Sequence, residues 1–193
     1  MSKYLVDPQN ITNFDSKEFD LQLVILFWIC AAGKKASTSA KALNNFLIFG
    51  SDFSNKILPF DIIKCFSEKE LSFYLKKFGI GCYNNKSRCM RQLVEKNLNL
   101  NTCTVSDLEA VKGIGPKTAR CFLLHTREGS KYAGLDTHVL KYMKSQGFEV
   151  PRSTPSGKKY LELEKQFIKL AENSSMSIAE FDLHIWKKYS NKI

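Results

Sequence analysis

An almost uninterrupted apolar run, LQLVILFWICAA at residues 21–32, constrains the fold more than any other feature of the chain. A membrane-spanning helix needs about 20 apolar residues, so this run is too short to cross a bilayer. A helix that is apolar on every side is typical of the centre of a protein core. The run therefore predicts a buried helix over residues 16–32, in a chain whose 193 residues suit one domain or two lobes sharing a core.

Helical patterns cover the rest of the chain, and no Asn-Gly or Asp-Gly turn separates alternating strands. The spacing of apolar residues predicts further helices over 36–48, 59–66, 67–78, 84–97, 158–172 and 177–189. Gly50 and Ser51 are predicted to end the second helix. Ser67, with Glu70 three residues later, forms a capping box that opens the fourth. The predicted fold class is all-α.

The chain has 29 Lys and Arg against 19 Asp and Glu, a net charge of +10. Such a charge favours an anionic partner, most often nucleic acid. The alternative is a basic protein that is merely soluble. A scaffold that binds only other proteins is the reading that the charge favours least.

Six cysteines follow a polar N-terminus, MSKYLVDPQN, in which we find no signal peptide. We therefore expect free thiols in a reducing compartment and an intracellular, non-secreted protein. Cys82 and Cys89 are followed by no C-x-x-C pair, which argues against a zinc site and a four-cysteine iron–sulfur cluster.

Residues 113–117 read GIGPK and follow a short predicted helix opened by a second capping box, Ser106 with Glu109. Gly113 is predicted to stop that helix, and Pro116 suits the first position of the next one. A Gly-x-Gly turn between two helices can bind phosphate, because its backbone approaches a ligand closely and the following helix presents unpaired N–H groups. Such contacts position DNA without reading its bases.

Lys117 lies in the first turn of the second helix, where the positive end of the helix dipole is expected to lower the pKa of its amine. A neutral lysine amine is a nucleophile for Schiff-base chemistry. The alternative is a solvated lysine that contacts phosphate. Asp136, 19 positions later, is predicted to cap the helix THVLKYMKSQ, and it has two readings as well. It is either an ordinary cap or a carboxylate that stabilises positive charge on a sugar carbon.

Two stretches, VKGIGPKTARCFLL and LDTHVLKYM, resemble the helix-hairpin-helix DNA glycosylase superfamily that contains endonuclease III. In that family the lysine attacks the sugar C1′ and the aspartate is the essential carboxylate. The resemblance implies these roles for Lys117 and Asp136.

The same resemblance implies DNA contacts at the hairpin through Gly113, Gly115 and Thr118. It also implies a monovalent cation held by the backbone of Val111 and Gly113, with no side-chain metal ligand and no other cofactor.

The first Gly-Ile-Gly copy lies in GIGCYNNKSRCM and resembles the family's G-x-Y-N-x-K-A segment, a loop near the DNA. Cys82 stands at the position whose side chain can wedge into the duplex. Tyr83, Asn84 and Lys86 match the remaining pattern. The resemblance therefore implies DNA contacts for these four residues, and makes Lys86 a loop or helix-start lysine and not the nucleophile.

The C-terminal segment FDLHIWKKYSNKI resembles the closing segment of the compact archaeal-type (family 2) 8-oxoguanine DNA glycosylases, which lack an iron–sulfur cluster. The resemblance implies a base pocket formed by Trp186 and Lys192. Trp186 as a plain core or surface aromatic is the alternative reading. The stretch CAAGKKAS departs from endonuclease III, which has a glutamine near the position of Gly33.

Together these observations predict a two-lobed helical glycosylase fold with a helix-hairpin-helix motif and no iron–sulfur cluster. One catalytic domain would cover 1–193, with one lobe at about 33–135, including the hairpin at 106–126, and the other at about 1–32 plus 136–193. The expected function is excision of an oxidised base, 8-oxoguanine, from double-stranded DNA by a monomer that then nicks the strand by β-elimination. No membrane association is expected. The alternatives are a glycosylase for another modified or hypermodified base and a non-catalytic DNA-binding protein.

Overall fold

A computed structural model describes residues 3–190, and every regular element in that range is an α-helix. In chain order the described helices are α1 Glu18–Ala31, α2 Ala36–Ser54, α3 Pro59–Lys64, α4 Glu68–Lys77, α5 Tyr83–Lys96, α6 Val105–Glu109, α7 Pro116–Thr126, α8 Thr137–Ser145, α9 Gly157–Glu172 and α10 Ile178–Ser190. The all-α fold class predicted from the sequence is confirmed.

The chain forms two compact units, and the division falls after Gly115. The first unit contains the residues up to Ile11 together with Asp15–Gly115, and so carries α1–α6. The second contains Thr12–Phe14 and the chain from Pro116 onward, with α7–α10. The predicted lobes, 33–135 against 1–32 with 136–193, are divided at other positions and stay a prediction.

Helix α1 is the buried core helix that the apolar run predicts, since Ile25, Leu26 and Phe27 are fully inaccessible to solvent. Gln22, a polar residue within the run, is also buried, and its Oε1 accepts the backbone N–H of Phe60 at 2.9 Å. That N–H belongs to the first turn of α3, whose orphan donors need acceptors. Gln22 therefore stabilises the start of a neighbouring helix inside the first unit.

The predicted end of the second helix is wrong, because α2 continues through Gly50 and Ser51 to Ser54. Gly50 is buried directly against Ile62 of α3, and a methyl group at this position would collide with that side chain. Glycine inside a helix costs about 1 kcal/mol relative to alanine, and here it permits close packing of two helices. The helix ends instead at Asn55, which adopts the left-handed conformation with φ 57°.

Capping explains where two other helices begin. The predicted box at Ser67 and Glu70 is confirmed, with the Glu70 backbone N–H donating to Ser67 Oγ and the carboxylate accepting from Ser67. The second predicted box is wrong: Thr104 and Asp107 form it, two residues earlier than Ser106 and Glu109. Asp107 Oδ2 accepts the Thr104 N–H at 2.8 Å, so an aspartate closes this capping box in place of a glutamate.

The second unit packs α8, α9 and α10 around one cluster of buried apolar side chains, which comprises Ala133, Leu135, Val139, Leu140, Met143, Tyr160, Leu163, Phe167, Ala171, Phe181 and Ile185. Val139, Leu140 and Met143, all on the inner face of α8, belong to this core. The predicted closing helices are confirmed as α9 and α10 to within one residue at each end.

Candidate active site

Lys117 and Asp136, the two residues that sequence reasoning singled out, lie at the starts of two helices in the second unit. Lys117 is the second residue of α7 and is half-buried. Asp136 caps α8, and its Oδ1 accepts the backbone N–H groups of His138 at 2.8 Å and Val139 at 2.9 Å. Both bonds use the same oxygen, so Oδ2 stays outside the cap. The predicted capping role is confirmed and leaves one carboxylate oxygen for other chemistry.

The pKa of Lys117 is raised above its ordinary value, and the predicted lowering by the helix dipole is wrong. Burial lowers this pKa, but the negative charges of Cys121, Asp136 and Asp182 together outweigh burial. Cys121 acts this way only as a thiolate, and burial raises the pKa of its thiol to about 12. At neutral pH the two carboxylates are therefore the groups that favour the charged ammonium. Lysine and carboxylate thus share one electrostatic site.

An ion pair that the sequence analysis missed ties the helix of Lys117 to the segment before Asp136. Arg120, one turn after Lys117, donates from Nε to both carboxylate oxygens of Glu164, at 3.0 and 3.2 Å. Glu164 Oε1 also accepts the backbone N–H of Ala133 at 3.0 Å. Both ionic side chains are buried, where a charge is stable only when paired and hydrogen-bonded. The pair therefore fixes α7, α9 and the 133–136 segment together.

Tyr160 completes this connection. Its hydroxyl donates to the Ala133 carbonyl at 2.7 Å and accepts the Leu135 N–H at 3.2 Å, while the Arg120 guanidinium lies 4.7 Å from its ring centroid. The sequence held one signal for the pair: Glu164 follows Tyr160 by four positions, on the same helical face as the buried Leu163 and Phe167. A carboxylate on an otherwise apolar inner face implies a buried cationic partner.

A second carboxylate, also missed, lies in the same unit on α10. Asp182 is buried, and its Oδ2 is 3.3 Å from Nε2 of His125. The other ring nitrogen of His125, Nδ1, is 2.8 Å from Thr12 Oγ1. Asp182 Oδ1 has no hydrogen-bond partner among the described residues. Burial raises the pKa of Asp182 by more than the His125 contact lowers it.

The hairpin that precedes α7 belongs to the first unit. Gly113 has φ +104°, a conformation that side chains rarely adopt, and a Cβ there would lie 3.0 Å from Cβ of Cys89. The Val111 carbonyl accepts the Ile114 N–H at 3.0 Å, and the Lys112 N–H donates to Gln92 Oε1 at 2.6 Å. The turn is therefore held by local hydrogen bonds and by α5. Gly113 is exposed, as the predicted phosphate contact requires.

The fit of this turn to a monovalent cation follows from its carbonyls. A carbonyl oxygen has two lone pairs, and in the described turn the Ile114 N–H uses one lone pair of the Val111 oxygen. Val111 and Gly113 therefore fit a backbone cation site, which stays a proposal. Gly115 is exposed, with open space around its Cα. The side chain of Thr118 is buried, so only the main chain of Thr118, in the first turn of α7, could contact DNA.

The first Gly-Ile-Gly copy forms a bend before α5, with Gly79 at φ +82°. Cys82, the predicted wedge, is exposed and left-handed at φ 56°, at the N-cap of α5. Tyr83 is half-buried with Lys76 Nζ 5.4 Å from its ring centroid, and the Asn84 side chain accepts a hydrogen bond from Ser72. A cavity of about 240 Å³ opens beside this bend, lined by residues that include the exposed Lys34 and Lys35.

Lys86, predicted as a DNA contact, is buried and does not present its charge at the surface. Its Nζ donates to the Cys30 carbonyl at 2.6 Å and to the Ala32 carbonyl at 3.2 Å, at the C-terminal end of α1. Carbonyls at that end lack helical partners and carry the negative end of the dipole. Lys86 therefore supports the loop that follows α1. Burial lowers its pKa.

Of the two predicted base-pocket residues, Trp186 is half-buried on α10, and Lys192 lies outside the described residues. Both readings of Trp186, a core aromatic and a platform on which a base stacks, agree with its half-buried side chain. In residues 3–190 no three His, Cys, Asp or Glu side chains are arranged to hold a metal ion.

A family model, Ogg-HhH, described as 8-oxoguanine DNA glycosylase, matches residues 9–176 of the chain. The chain belongs to this family. Among curated relatives, the 8-oxoguanine DNA glycosylase/AP lyase of Picrophilus torridus is 38% identical over 86 residues, 45% of this chain and 41% of the relative. The protein of the same name from Methanocaldococcus jannaschii is 28% identical over 123 residues, 63% of this chain and 58% of the relative. The chain thus spans about two fifths to three fifths of these relatives.

Two solved Ogg structures share the fold. The Methanocaldococcus jannaschii 8-oxoguanine glycosylase/lyase, in complex with 15mer DNA containing 8-oxoguanine, superposes with a TM-score of 0.69 at 22% identity, covering 96% of this chain and 88% of that one. The 8-oxoguanine DNA glycosylase of Thermotoga maritima gives 0.70 at 24% identity, with the same coverage. The helix-hairpin-helix glycosylase fold predicted for this Ogg-HhH chain is confirmed. No helix in residues 3–190 is long and apolar enough to cross a membrane.

Proposed function

We propose that this chain is a bifunctional DNA glycosylase and AP lyase that removes 8-oxoguanine from duplex DNA. The observation that carries the proposal is the half-buried Lys117 in one electrostatic site with Asp136, at the start of the helix that follows the hairpin. Membership of the Ogg-HhH family and the names of the relatives support the choice of substrate.

The glycosidic carbon is inaccessible inside stacked DNA, so the damaged nucleotide is flipped out of the duplex before reaction. Lys117 loses a proton, and its neutral amine attacks the sugar C1′ while the bond from C1′ to the base breaks. The electron pair of that bond leaves with the base. Asp136, with Oδ2 outside its cap, stabilises the positive charge that develops on the sugar.

The amine now attached to C1′ becomes a Schiff base as the sugar ring opens. Loss of a proton from C2′ then expels the 3′ phosphate by β-elimination and nicks the strand. A glycosylase that stops after base removal needs only a carboxylate and water, so a lysine in the site supports the lyase step.

DNA contacts are proposed at the hairpin, through Gly113, Gly115 and the main chain of Thr118, and at the bend, through Cys82, Tyr83 and Asn84. Lys86 instead supports the loop after α1 through the Cys30 and Ala32 carbonyls. A monovalent cation on the Val111 and Gly113 carbonyls would add a positive charge beside a phosphate. Trp186 and Lys192 are proposed for the base pocket. We expect a monomer that works inside the cell, where duplex DNA is held.

The test is a panel of duplexes, each with one lesion or an abasic site, incubated with protein in the presence of borohydride. We expect strand cleavage and a covalent adduct, strongest with 8-oxoguanine among the damaged bases. Lys117→Ala should give no adduct, while Lys165→Ala, an exposed variant on α9, should retain it. Adduct with a different modified base would reassign the substrate. Binding without cleavage of any duplex would support a non-catalytic DNA-binding protein instead.

A further inference from the structure

The Lys117 site contains a second carboxylate that the mechanism above does not use. Asp182 lies on α10, which packs against both α7 and α8, the helices that carry Lys117 and Asp136. A Cβ built on Gly134 would lie 3.7 Å from Asp182 Oδ1 and would collide with Sγ of Cys121. Gly134 therefore lets Asp182 and Cys121 meet at the segment that leads to Asp136.

The orientation of Asp182 is fixed from one side. His125 lies 3.3 Å from its Oδ2, and Thr12 lies 2.8 Å from the opposite ring nitrogen. Oδ1 is buried without a hydrogen-bond partner among the described residues. Burying a carboxylate oxygen without a hydrogen-bond partner costs folding free energy unless a proton or a hydrogen-bond donor reaches that oxygen.

The ionisable groups that act on Asp182 come from α7 and from the start of α8. Helix α7 provides Lys117, Cys121 and His125, and the start of α8 provides Asp136. Helix α9 also packs against α10, but its buried ionisable side chains, Tyr160 and Glu164, are bonded to Ala133 and Arg120. With Lys117 charged and both aspartates ionised, these three residues carry one net negative charge.

The reaction requires Lys117 to lose its proton and Asp136 to stay ionised. Release of that proton to solvent would remove the cation that offsets the charges of Asp136 and Asp182, which is costly because Asp182 is buried. Transfer to a carboxylate inside the site leaves its net charge unchanged. Asp136 Oδ1 already accepts two backbone N–H donors at a helix N-terminus, whereas Asp182 Oδ1 has no such donors and offers a vacant acceptor for the proton.

We propose that Asp182 is a positioning residue that stores the proton Lys117 must lose. The proton leaves Nζ of Lys117 and comes to rest on Oδ1 of Asp182, giving a neutral amine, a neutral carboxylic acid and an ionised Asp136. No other reactant is consumed. When two carboxylates of one site have different surroundings, one stabilises charge and the other carries the proton. The raised pKa of Asp182 agrees with the second role.

This inference rests on the proposed function, and the first experiment is single-turnover trapping on abasic and 8-oxoguanine duplexes. Asp182→Asn keeps the shape of the side chain and removes the acceptor. We expect adduct formation to fall on the order of 100-fold at neutral pH, and to recover as pH rises and solvent deprotonates Lys117. Glu162→Gln, an exposed carboxylate lost from α9, is the matched control. An unchanged or faster rate in folded Asp182→Asn overturns the proposal.

The second measurement needs no variant of Asp182. Carbon-13 NMR of the side-chain carboxyl in DNA-free protein should show Asp182 titrating above the ordinary aspartate value, and higher still in Lys117→Ala. Titration at or below the ordinary value overturns the proposal even if Asp182→Asn fails to fold. Wild-type protein that traps no duplex defeats the proposed function instead, and the NMR titration separates that failure from this one.

Discussion

The two Gly-Ile-Gly segments each lead to a lysine, and the two lysines have opposite surroundings. Lys86, in the first unit, is buried against the carbonyls of Cys30 and Ala32, and burial lowers its pKa. Lys117, in the second unit, shares its site with the carboxylates of Asp136 and Asp182, and its pKa is raised.

The comparison shows that the chemical groups around each lysine determine what that lysine can do. Carbonyls carry partial charges and hold Lys86 as a structural donor at a helix end. Carboxylates carry full charges, and under the proposed function they take a proton from Lys117 and stabilise a cationic sugar. Each experiment below changes one side of this comparison.

The largest effect is expected from Asp136→Asn, which removes a full charge from the Lys117 site. Asparagine caps a helix as well as aspartate does, so stability should change by less than about 0.5 kcal/mol. Excision should fall on the order of 1,000-fold, because the developing positive charge loses its carboxylate. Single-turnover excision and thermal unfolding check both parts. Excision by Asp136→Asn at the wild-type rate would show that Asp136 acts only as a helix cap.

Glu164→Gln tests the buried pair that holds the Lys117 helix in place. It leaves the Arg120 guanidinium facing an uncharged amide, and breaking a buried pair costs about 3 kcal/mol. Urea unfolding measures the change, and Glu162→Gln on the exposed face of α9 is its control. Equal midpoints for the two variants would show that the pair contributes nothing to stability.

Lys86→Met tests the opposite side of the comparison. It keeps the apolar stem but leaves the Ala32 carbonyl without its side-chain donor and the Cys30 carbonyl with only the Ser39 hydroxyl, which should cost about 2 kcal/mol of unfolding free energy. The exposed Lys69→Met is the control. Adduct formation by the folded fraction should stay within a few-fold of wild type. Complete loss of the adduct in folded protein would contradict the structural role.

The two lysines also predict opposite effects of alkaline pH on stability. The folded pKa of Lys117 lies above its ordinary value of 10.5, so its contribution is complete below 10.5 and is lost as pH rises through the folded value. The folded pKa of Lys86 lies below 10.5, so the unfolded chain binds more protons between the two values, and stability rises with pH there.

Thermal midpoints recorded against pH for three proteins check this prediction. Relative to wild type, Lys117→Ala should lose less stability at the alkaline end, and Lys86→Met should lose more. Parallel curves for all three proteins would show that neither lysine is perturbed in the way described.

The last comparison is between the first glycines of the two copies, where Gly79 is expected to give the smallest effect. Gly113→Ala meets Cys89 as well as an unfavourable φ of +104°, and should cost about 2 kcal/mol. Gly79→Ala has φ +82° but open space, and should cost about 1 kcal/mol. Urea midpoints compare them, and a larger loss at Gly79 would contradict the packing described for Gly113.

Local signals predicted most helices because caps, glycines and apolar spacing act within a few residues. The same logic failed where contact with another helix mattered more. Glycine usually ends a helix, yet α2 runs through Gly50 because Ile62 needs the space of its missing side chain. The second capping box was misplaced because Thr104 and Asp107 satisfy the same geometry earlier in the chain.

The sequence by itself determined the all-helical class and the family, and it predicted the pairing of Lys117 with Asp136, because motif spacing and periodicity are properties of the chain order. Only the tertiary structure decided what surrounds each lysine. It buried Lys86 on carbonyls, raised the pKa of Lys117, and brought Glu164 and Asp182 from distant helices into the second unit. Solvation and charge depend on three-dimensional neighbours, which neither Gly-Ile-Gly copy specifies.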